Sequence, residues 1–194
     1  MTRLGWILLL VFVLIIGGFA LMVRKGGLRT PASHETASLA PTAAAMPAGG
    51  GLIVPVAGIT PDKLQDTWGD ARGEGMREHH AIDIIAPRGT PVLAAAAGMV
   101  EKIFESRNGG HTIYIRRVDP AWQDYYAHLD SYGPDLREGT RVKQGQKIGE
   151  VGSTGDASAE APHLHYEIHH MAQGEGWWQG SEINPYPILR GSGG

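Results

Sequence analysis

The chain has 194 residues, a formal net charge of −3 and no cysteine, room for one globular domain plus appendages rather than two large domains. The charge is uneven: residues 1–50 carry four Lys/Arg (Arg3, Arg24, Lys25, Arg29) against the single acid Glu35, and residues 51–194 carry 13 Lys/Arg against 19 acids. An acidic body argues against nucleic acid as a partner, because phosphate neutralisation needs a basic face, and the lack of Cys removes disulfides, thiolate metal sites and Cys nucleophiles together.

The chain opens with Gly5 to Val23, 19 residues without a charge, close to the roughly 20 that cross a bilayer core. Trp6 sits at one end, and Arg3 and Arg24-Lys25 flank the segment. A cleaved signal peptide has a shorter apolar region and a small-x-small cleavage site. The longer stretch, followed at once by Arg-Lys, favours an uncleaved transmembrane signal anchor over residues 1–25. The flanking positive charges nearly balance, so orientation rests on the chemistry of the body. Residues 26–50 are rich in Ala, Pro, Gly, Ser and Thr and read as a flexible tether, with an r.m.s. span of roughly 25–30 Å.

From Gly51 onward the pattern changes to short β-prone runs between turn signals. Strands are expected at Leu52–Val56, Ala81–Ile85, Pro91–Ala94, Gly98–Phe104, Thr112–Arg116, Asp124–Leu129, Arg141–Val142, Lys147–Val151 and His165–His169. Pro61–Gln65 is expected to form a short helix with Thr60 as its cap. Frequent short strands and 28 glycines indicate a mostly β domain over residues 51–190, an antiparallel sandwich or barrel, with a frayed tail at 191–194.

Three places carry chemistry. His79 and Asp83 stand four apart at the entry to a strand, and an imidazole with a carboxylate suits zinc. That spacing alone is a weak signal and more often marks a surface His and a locally paired Asp. His163 and His165 are two apart on a strand, so both side chains point to one face, roughly 7 Å from each other. They read either as a ligand with a neighbour just outside the metal shell or as two solvated histidines. His128 lies in Tyr125-Tyr126-Ala127-His128-Leu129, an apolar strand in which a lone His is usually a hydrogen-bonded structural residue. Glu167 shares the face of His165 and reads either as a carboxylate orienting that imidazole or as a solvated strand residue. His80, His169 and His170 carry no assigned role.

Taken together the three places resemble the lysostaphin-type zinc metallopeptidases, the M23 peptidase family. The likeness runs from about Leu52 to Leu189. It takes in Val54-Pro55-Val56-Ala57-Gly58, Asp66-Thr67-Trp68-Gly69-Asp70-Ala71-Arg72, His79-x3-Asp83 with Arg77 before it, Tyr126-x-His128-Leu129, Val142 to Gly149, Gly152-Ser153-Thr154-Gly155, His163-x-His165 and Ile183-Asn184-Pro185. The resemblance implies a duplicated-hybrid-motif-like β fold, Zn2+ held by His79, Asp83 and His165, and His128 and His163 as catalytic histidines beside a metal-activated water. It implies hydrolysis of peptide cross-links or bridges in bacterial peptidoglycan, by a domain held at the cytoplasmic (inner) membrane and facing the periplasm or extracytoplasmic space. A regulatory protein partner of unknown identity fits the same picture. Ala81 stands where a glycine is usual, His111 where a small polar residue is common, and Arg116-Arg117 where a His is often seen; none is a ligand or catalytic position.

Two other classes are open to the sequence. A non-catalytic activator of other wall hydrolases would need neither metal nor base, but all three ligand types and both histidines are present. A carrier or phosphotransfer module fits the glycine spacing of Gly139 to Gly149 but does not call for Asp83. His34 and Glu35 in the tether have the residue types of blocking ligands, with nothing further to support that role.

Overall fold

The structure, a computed structural model, describes residues 51–72 and 75–191. The anchor expected over 1–25, the tether over 26–50, His34, Glu35 and the last three residues lie outside the described residues. Among the described residues no helix is long and apolar enough to cross a membrane.

The described residues form eleven strands, in order β1 (Ala71–Arg72), β2 (Arg77–Glu78), β3 (Ile82–Ile85), β4 (Pro91–Leu93), β5 (Gly98–Ser106), β6 (Gly110–Arg117), β7 (Trp122–Tyr132), β8 (Arg141–Val142), β9 (Lys147–Val151), β10 (His163–His170) and β11 (Ser181–Ile183). A helix α1 (Pro185–Gly191) is the last of the described elements. Every pairing is antiparallel, as expected for strands joined by short turns. β1 and β2 form a separate two-stranded ribbon; the other nine form one sheet with the central path β11-β10-β7-β6-β5-β8. β7 is long enough to serve two neighbours, pairing with β10 through Trp122–Ala127 and with β9 through Leu129–Tyr132.

Alternation sets the core. Ile82 and Ile84 on β3, Ile113 and Ile115 on β6, and Leu164, Tyr166 and Ile168 on β10 all point inward and are buried, so the residues between them face the opposite side. Beneath the sheet, Arg117 donates to Asp124 through Nε at 3.0 Å and Nη2 at 2.5 Å, and the Tyr166 hydroxyl donates to the same carboxylate at 2.6 Å. A buried carboxylate so fully bonded adds register to the β6–β7–β10 stack without an unpaired charge.

The strand expected at Leu52–Val56 is not one. Leu52, Val54 and Val56 are buried at period two as expected, but only Val56 bridges, to Val92. Pro55 has no N–H to give to a ladder and offers only its carbonyl, to Leu93 N at 2.9 Å. The expected helix at Pro61–Gln65 is a single 3-10 turn over Pro61–Lys63, and Thr60 makes no capping bond from its side chain. The turn stops because Leu64 takes an extended conformation that carries it into the core. Gly191, placed in the tail by the sequence reading, is the last residue of α1.

Candidate metal centre

The site is built on the cross-strand pair Asp83–His165. β3 and β10 run antiparallel with these two residues directly opposite, so both side chains rise from the outer face of the sheet, close together. His79 precedes β3. Its backbone is held by Gly69 N donating to His79 O at 2.7 Å and His79 N donating to Asp70 O at 2.9 Å. Thr67 serves both ligands: its carbonyl accepts from His79 Nδ1 at 2.7 Å, and its hydroxyl accepts from Asp83 N at 3.0 Å.

The tautomers follow from these partners. A backbone carbonyl only accepts, so His79 Nδ1 carries the proton and Nε2 presents a lone pair. His165 Nε2 lies 2.8 Å from Glu167 Oε1, and a proton on that nitrogen leaves Nδ1 with its lone pair free. His79 Nε2, His165 Nδ1 and Asp83 Oδ1 then face one another: 3.1 Å between the two nitrogens, 3.0 Å from His79 Nε2 to Asp83 Oδ1 and 3.2 Å from His165 Nδ1 to Asp83 Oδ1. Ligands about 2.0–2.1 Å from a tetrahedral ion sit about 3.3 Å apart. Three acceptors at that spacing repel each other unless a cation lies among them, and these residues form a group able to hold a metal ion. Without a metal a proton takes the place. Burial opposes charge on His165, but the Asp83 and Glu167 carboxylates outweigh it and lift its pKa to about 9. Burial likewise works against the Asp83 charge, yet hydrogen bonds from His165 and His79 hold its pKa well below the usual carboxylate range.

Two further side chains support the ligands: Arg72, to which the sequence assigned no role, and Glu167, for which the orienting reading was one of two. Arg72, on the β1–β2 ribbon, donates from Nη2 to Asp83 Oδ2 at 2.7 Å, fixing the carboxylate so that Oδ1 faces the histidines. Glu167 is half-buried and bonded rather than freely solvated: it accepts through Oε1 from His165 and through Oε2 from His169 Nε2 at 2.6 Å. Despite burial, which acts to raise it, these bonds pull the Glu167 pKa down to about 2. His169 thus has a place in the site that the sequence did not assign. His80, by contrast, stacks on Trp68 and His170 packs edge-on against Trp122, both clear of the three donors. Ala81 is fully buried.

His128 reaches the site through a bulge. β7 spends three steps from Tyr126 to Leu129 while β6 spends two from Ile113 to His111. Tyr126 and Leu129 both remain in the core, so the additional residue joins Ala127 on the way. His128 takes the left-handed conformation, φ 60°, costly for a residue with a Cβ. Its N–H is tied to Gly109 O at 2.8 Å, and its Nδ1 donates to Thr154 O at 2.8 Å. The ring stands 4.9 Å from that of His163 and 5.5 Å from that of His165. The Thr154 carbonyl is itself positioned by close packing: Gly155 has φ 76°, and a Cβ there would run into the Asn108 carbonyl. His163 donates from Nδ1 to Ala161 O at 2.9 Å, leaving Nε2 3.8 Å from Asp83 Oδ1. Burial, then the neighbouring His165 charge, pushes the His128 pKa down to about 4. The cleft over these groups encloses about 880 Å³ and is flanked by Arg77, Asn108, Tyr125, Asp156 and Glu182.

A cluster of two imidazoles and a carboxylate on an antiparallel sheet, with two more imidazoles beside it, has the make-up of a hydrolytic metal centre. Residues 77–185 match the family model Peptidase family M23, and the chain belongs to that family. It is 39% identical over 132 residues to the L-Ala–D-Glu endopeptidase of Bacillus subtilis, a match covering 65% of this chain and 39% of that protein. It is 41% identical over 93 residues to the peptidoglycan DD-endopeptidase ShyC of Vibrio cholerae, covering 48% of this chain and 20% of that one. The chain therefore corresponds to well under half the length of either relative. The catalytic domain of the antimicrobial peptidase lysostaphin from Staphylococcus simulans superposes with a TM-score of 0.56 at 30% identity, over 66% of this chain and 92% of that one.

Proposed function

We propose that this chain is a zinc-dependent endopeptidase that hydrolyses peptide cross-links or bridges of bacterial peptidoglycan. The observation that carries the reading is the convergence of three lone pairs, His79 Nε2, Asp83 Oδ1 and His165 Nδ1, at mutual distances of 3.0–3.2 Å. Two neutral imidazoles and one carboxylate suit Zn2+, and when bound the ion supplies a Lewis acid for the scissile carbonyl and lowers the pKa of water.

The remaining work falls to the chain. His128, with Nδ1 committed to Thr154 O and its pKa low, is neutral at pH 7 and offers Nε2 as a proton acceptor. His163, its ring 4.9 Å from that of His128 and its Nδ1 likewise committed to a carbonyl, offers the same atom. One takes a proton from the attacking water as its oxygen adds to the carbonyl carbon, and the other accepts a hydrogen bond from that water. As the C–N bond breaks, the captured proton passes to the departing nitrogen, and the water's second proton follows from the new carboxyl group, so that a carboxylate and an ammonium are left. Arg72 and Glu167 hold the ligand set in place through Asp83 and His165. The substrate class is supported by the ShyC relationship and by the family.

We further place this body outside the cytoplasm, held to the membrane through residues 1–25 and a tether over 26–50. The uncharged run Gly5–Val23 and the composition of 26–50 support that placement.

The test is digestion of purified sacculi by the full chain in detergent, with and without a zinc chelator, read by mass spectrometry. Chelator-sensitive release of uncrosslinked stem peptides, restored by Zn2+, is the expected result and names the bond. A folded, zinc-loaded protein that releases nothing, while still stimulating other wall hydrolases, would establish the activator instead.

A further inference from the structure

The outer face of the sheet does not end at the metal centre. From His165 it continues through Tyr125 (ring centroids 6.0 Å apart), Tyr114 (4.5 Å from Tyr125) and Trp177 (5.0 Å from Tyr114). Trp177 also meets Phe104 at 5.5 Å and Trp178 at 5.6 Å. Trp178 is 67% exposed and Phe104 41%, a large apolar area for a small domain to leave in water.

This area is built rather than loose. Two consecutive turns shape the β10–β11 connection, Glu175 N donating to Ala172 O at 3.2 Å and Gln179 N to Gly176 O at 3.0 Å. Side chains cap both: Glu175 Oε2 accepts from Ala172 N and Gln179 Oε1 from Gly176 N, each at 2.8 Å. Trp178 lies so close over Gly176 that a Cβ there would strike its ring. One indole face is thereby supported and the side chain ordered without being buried, so its entropy is lost before any ligand arrives. Lys102 Nζ sits 5.9 Å over the Trp177 ring and pairs with Glu138 at 2.8 Å, giving the aromatic shelf a charged rim.

We propose that the Trp177–Trp178 shelf is a subsite for the glycan strand of peptidoglycan, taking a pyranose ring while the stem peptide runs along Tyr114 and Tyr125 to the metal centre. The proposal rests on the endopeptidase reading above. A pyranose has a face of C–H bonds and a rim of hydroxyls, which match a flat aromatic surface bordered by Lys102 and Glu138. A peptide strand would instead seek unpaired backbone groups at a sheet edge. Steps of 6.0, 4.5 and 5.0 Å between ring centroids lead from His165 to Trp177, a path that four or five extended residues, roughly 13–18 Å, can follow between a sugar and a cleavable bond. Exposed indoles also favour lipid interfaces, so a membrane contact is the competing occupant.

The experiment uses the full, zinc-loaded chain in detergent and its Trp178→Ala and Trp177→Phe variants, all checked for native circular dichroism. Calorimetry with peptide-free GlcNAc–MurNAc oligosaccharides reads the subsite without any hydrolysis, so it stands or falls separately from the endopeptidase reading. Saturable binding is expected, about tenfold weaker in Trp178→Ala, the weight of one stacking contact. In hydrolysis, Trp178→Ala should raise KM severalfold for a cross-linked muropeptide dimer carrying its disaccharides and leave the same dimer stripped of sugar unaffected. Absence of oligosaccharide binding, or an equal loss on both dimers, overturns the proposal. Binding of the wild type, but not of Trp178→Ala, to phospholipid vesicles with no response to oligosaccharide assigns the shelf to the membrane and overturns it equally.

Discussion

Glu167 holds His165 and His169 at once, one carboxylate oxygen to each imidazole, at 2.8 and 2.6 Å. The three side chains occupy alternate positions of one strand, β10, so a run of i, i+2, i+4 residues is tied together along its own face. A carboxylate held from both ends cannot swing, and neither can the imidazole whose Nδ1 looks toward His79 and Asp83.

Removal of that clamp should loosen metal binding. Glu167→Ala is expected to weaken zinc affinity by about 10–100-fold, the usual weight of an outer hydrogen-bond partner. His169→Ala should show a smaller loss in the same direction. Competition against a chromophoric chelator measures both, and unchanged affinity in Glu167→Ala would show that β10 alone orients His165.

Arg72 is expected to act on the other side of the centre. Arg72→Met leaves Asp83 Oδ2 without its 2.7 Å partner and should lower zinc affinity about tenfold. Arg77→Met breaks only an exposed 3.5 Å pair with Asp156, worth little in water, and should leave zinc affinity unchanged. The two variants side by side separate a ligand-positioning arginine from one that merely borders the cleft.

The metal-free protein should carry a pH signature at His165. Its pKa is about 9 in the fold against about 6.5 in an unfolded chain. The charged form is therefore favoured by folding: this contribution to stability is complete below pH 6.5 and disappears as pH rises through 9. Chelated protein is expected to melt lower at pH 9.5 than at pH 6.5, and His165→Gln should flatten that difference. Zinc must displace the same proton, so binding at pH 7 should release about one proton and tighten with rising pH up to about 9.

Gly155→Ala tests the support of His128. The substitution meets both a left-handed backbone and the Asn108 carbonyl, with an expected cost of roughly 1–3 kcal/mol in stability. The Thr154 carbonyl that orders His128 moves with it. Turnover should therefore fall more than zinc affinity, since none of the three donors lies on that loop; parallel titration and kinetics measure the two, and an equal loss in both would count against this role for Gly155.

The sequence disclosed those parts of the site that lie within one strand or one turn. His163 and His165 share a face by period two, and His79 and Asp83 are local. His128 belongs to another category: strict alternation from Tyr125 would place it on the face opposite that residue, and only a bulge with φ 60° lets it reach the site. No spacing rule encodes that event. Arg72 and Thr67 reach Asp83 from 11 and 16 residues away through a ribbon of two-residue strands, too short to show periodicity. The Leu52–Val56 segment has the right burial pattern without the ladder, because Pro55 fits the packing and fails the hydrogen bonding. The sheet itself was legible because its core strands alternate cleanly.

The pairing of β3 with β10 brings together residues 82 positions apart, Asp83 and His165. An ion bound between them would close a loop containing most of the sheet, acting as a removable cross-link between an early and a late part of the chain. Loop-closure entropy grows with the length enclosed, so loading the centre curtails the freedom of the unfolded ensemble as well as completing the site. Availability of metal during folding would then govern when this domain becomes resistant to unfolding.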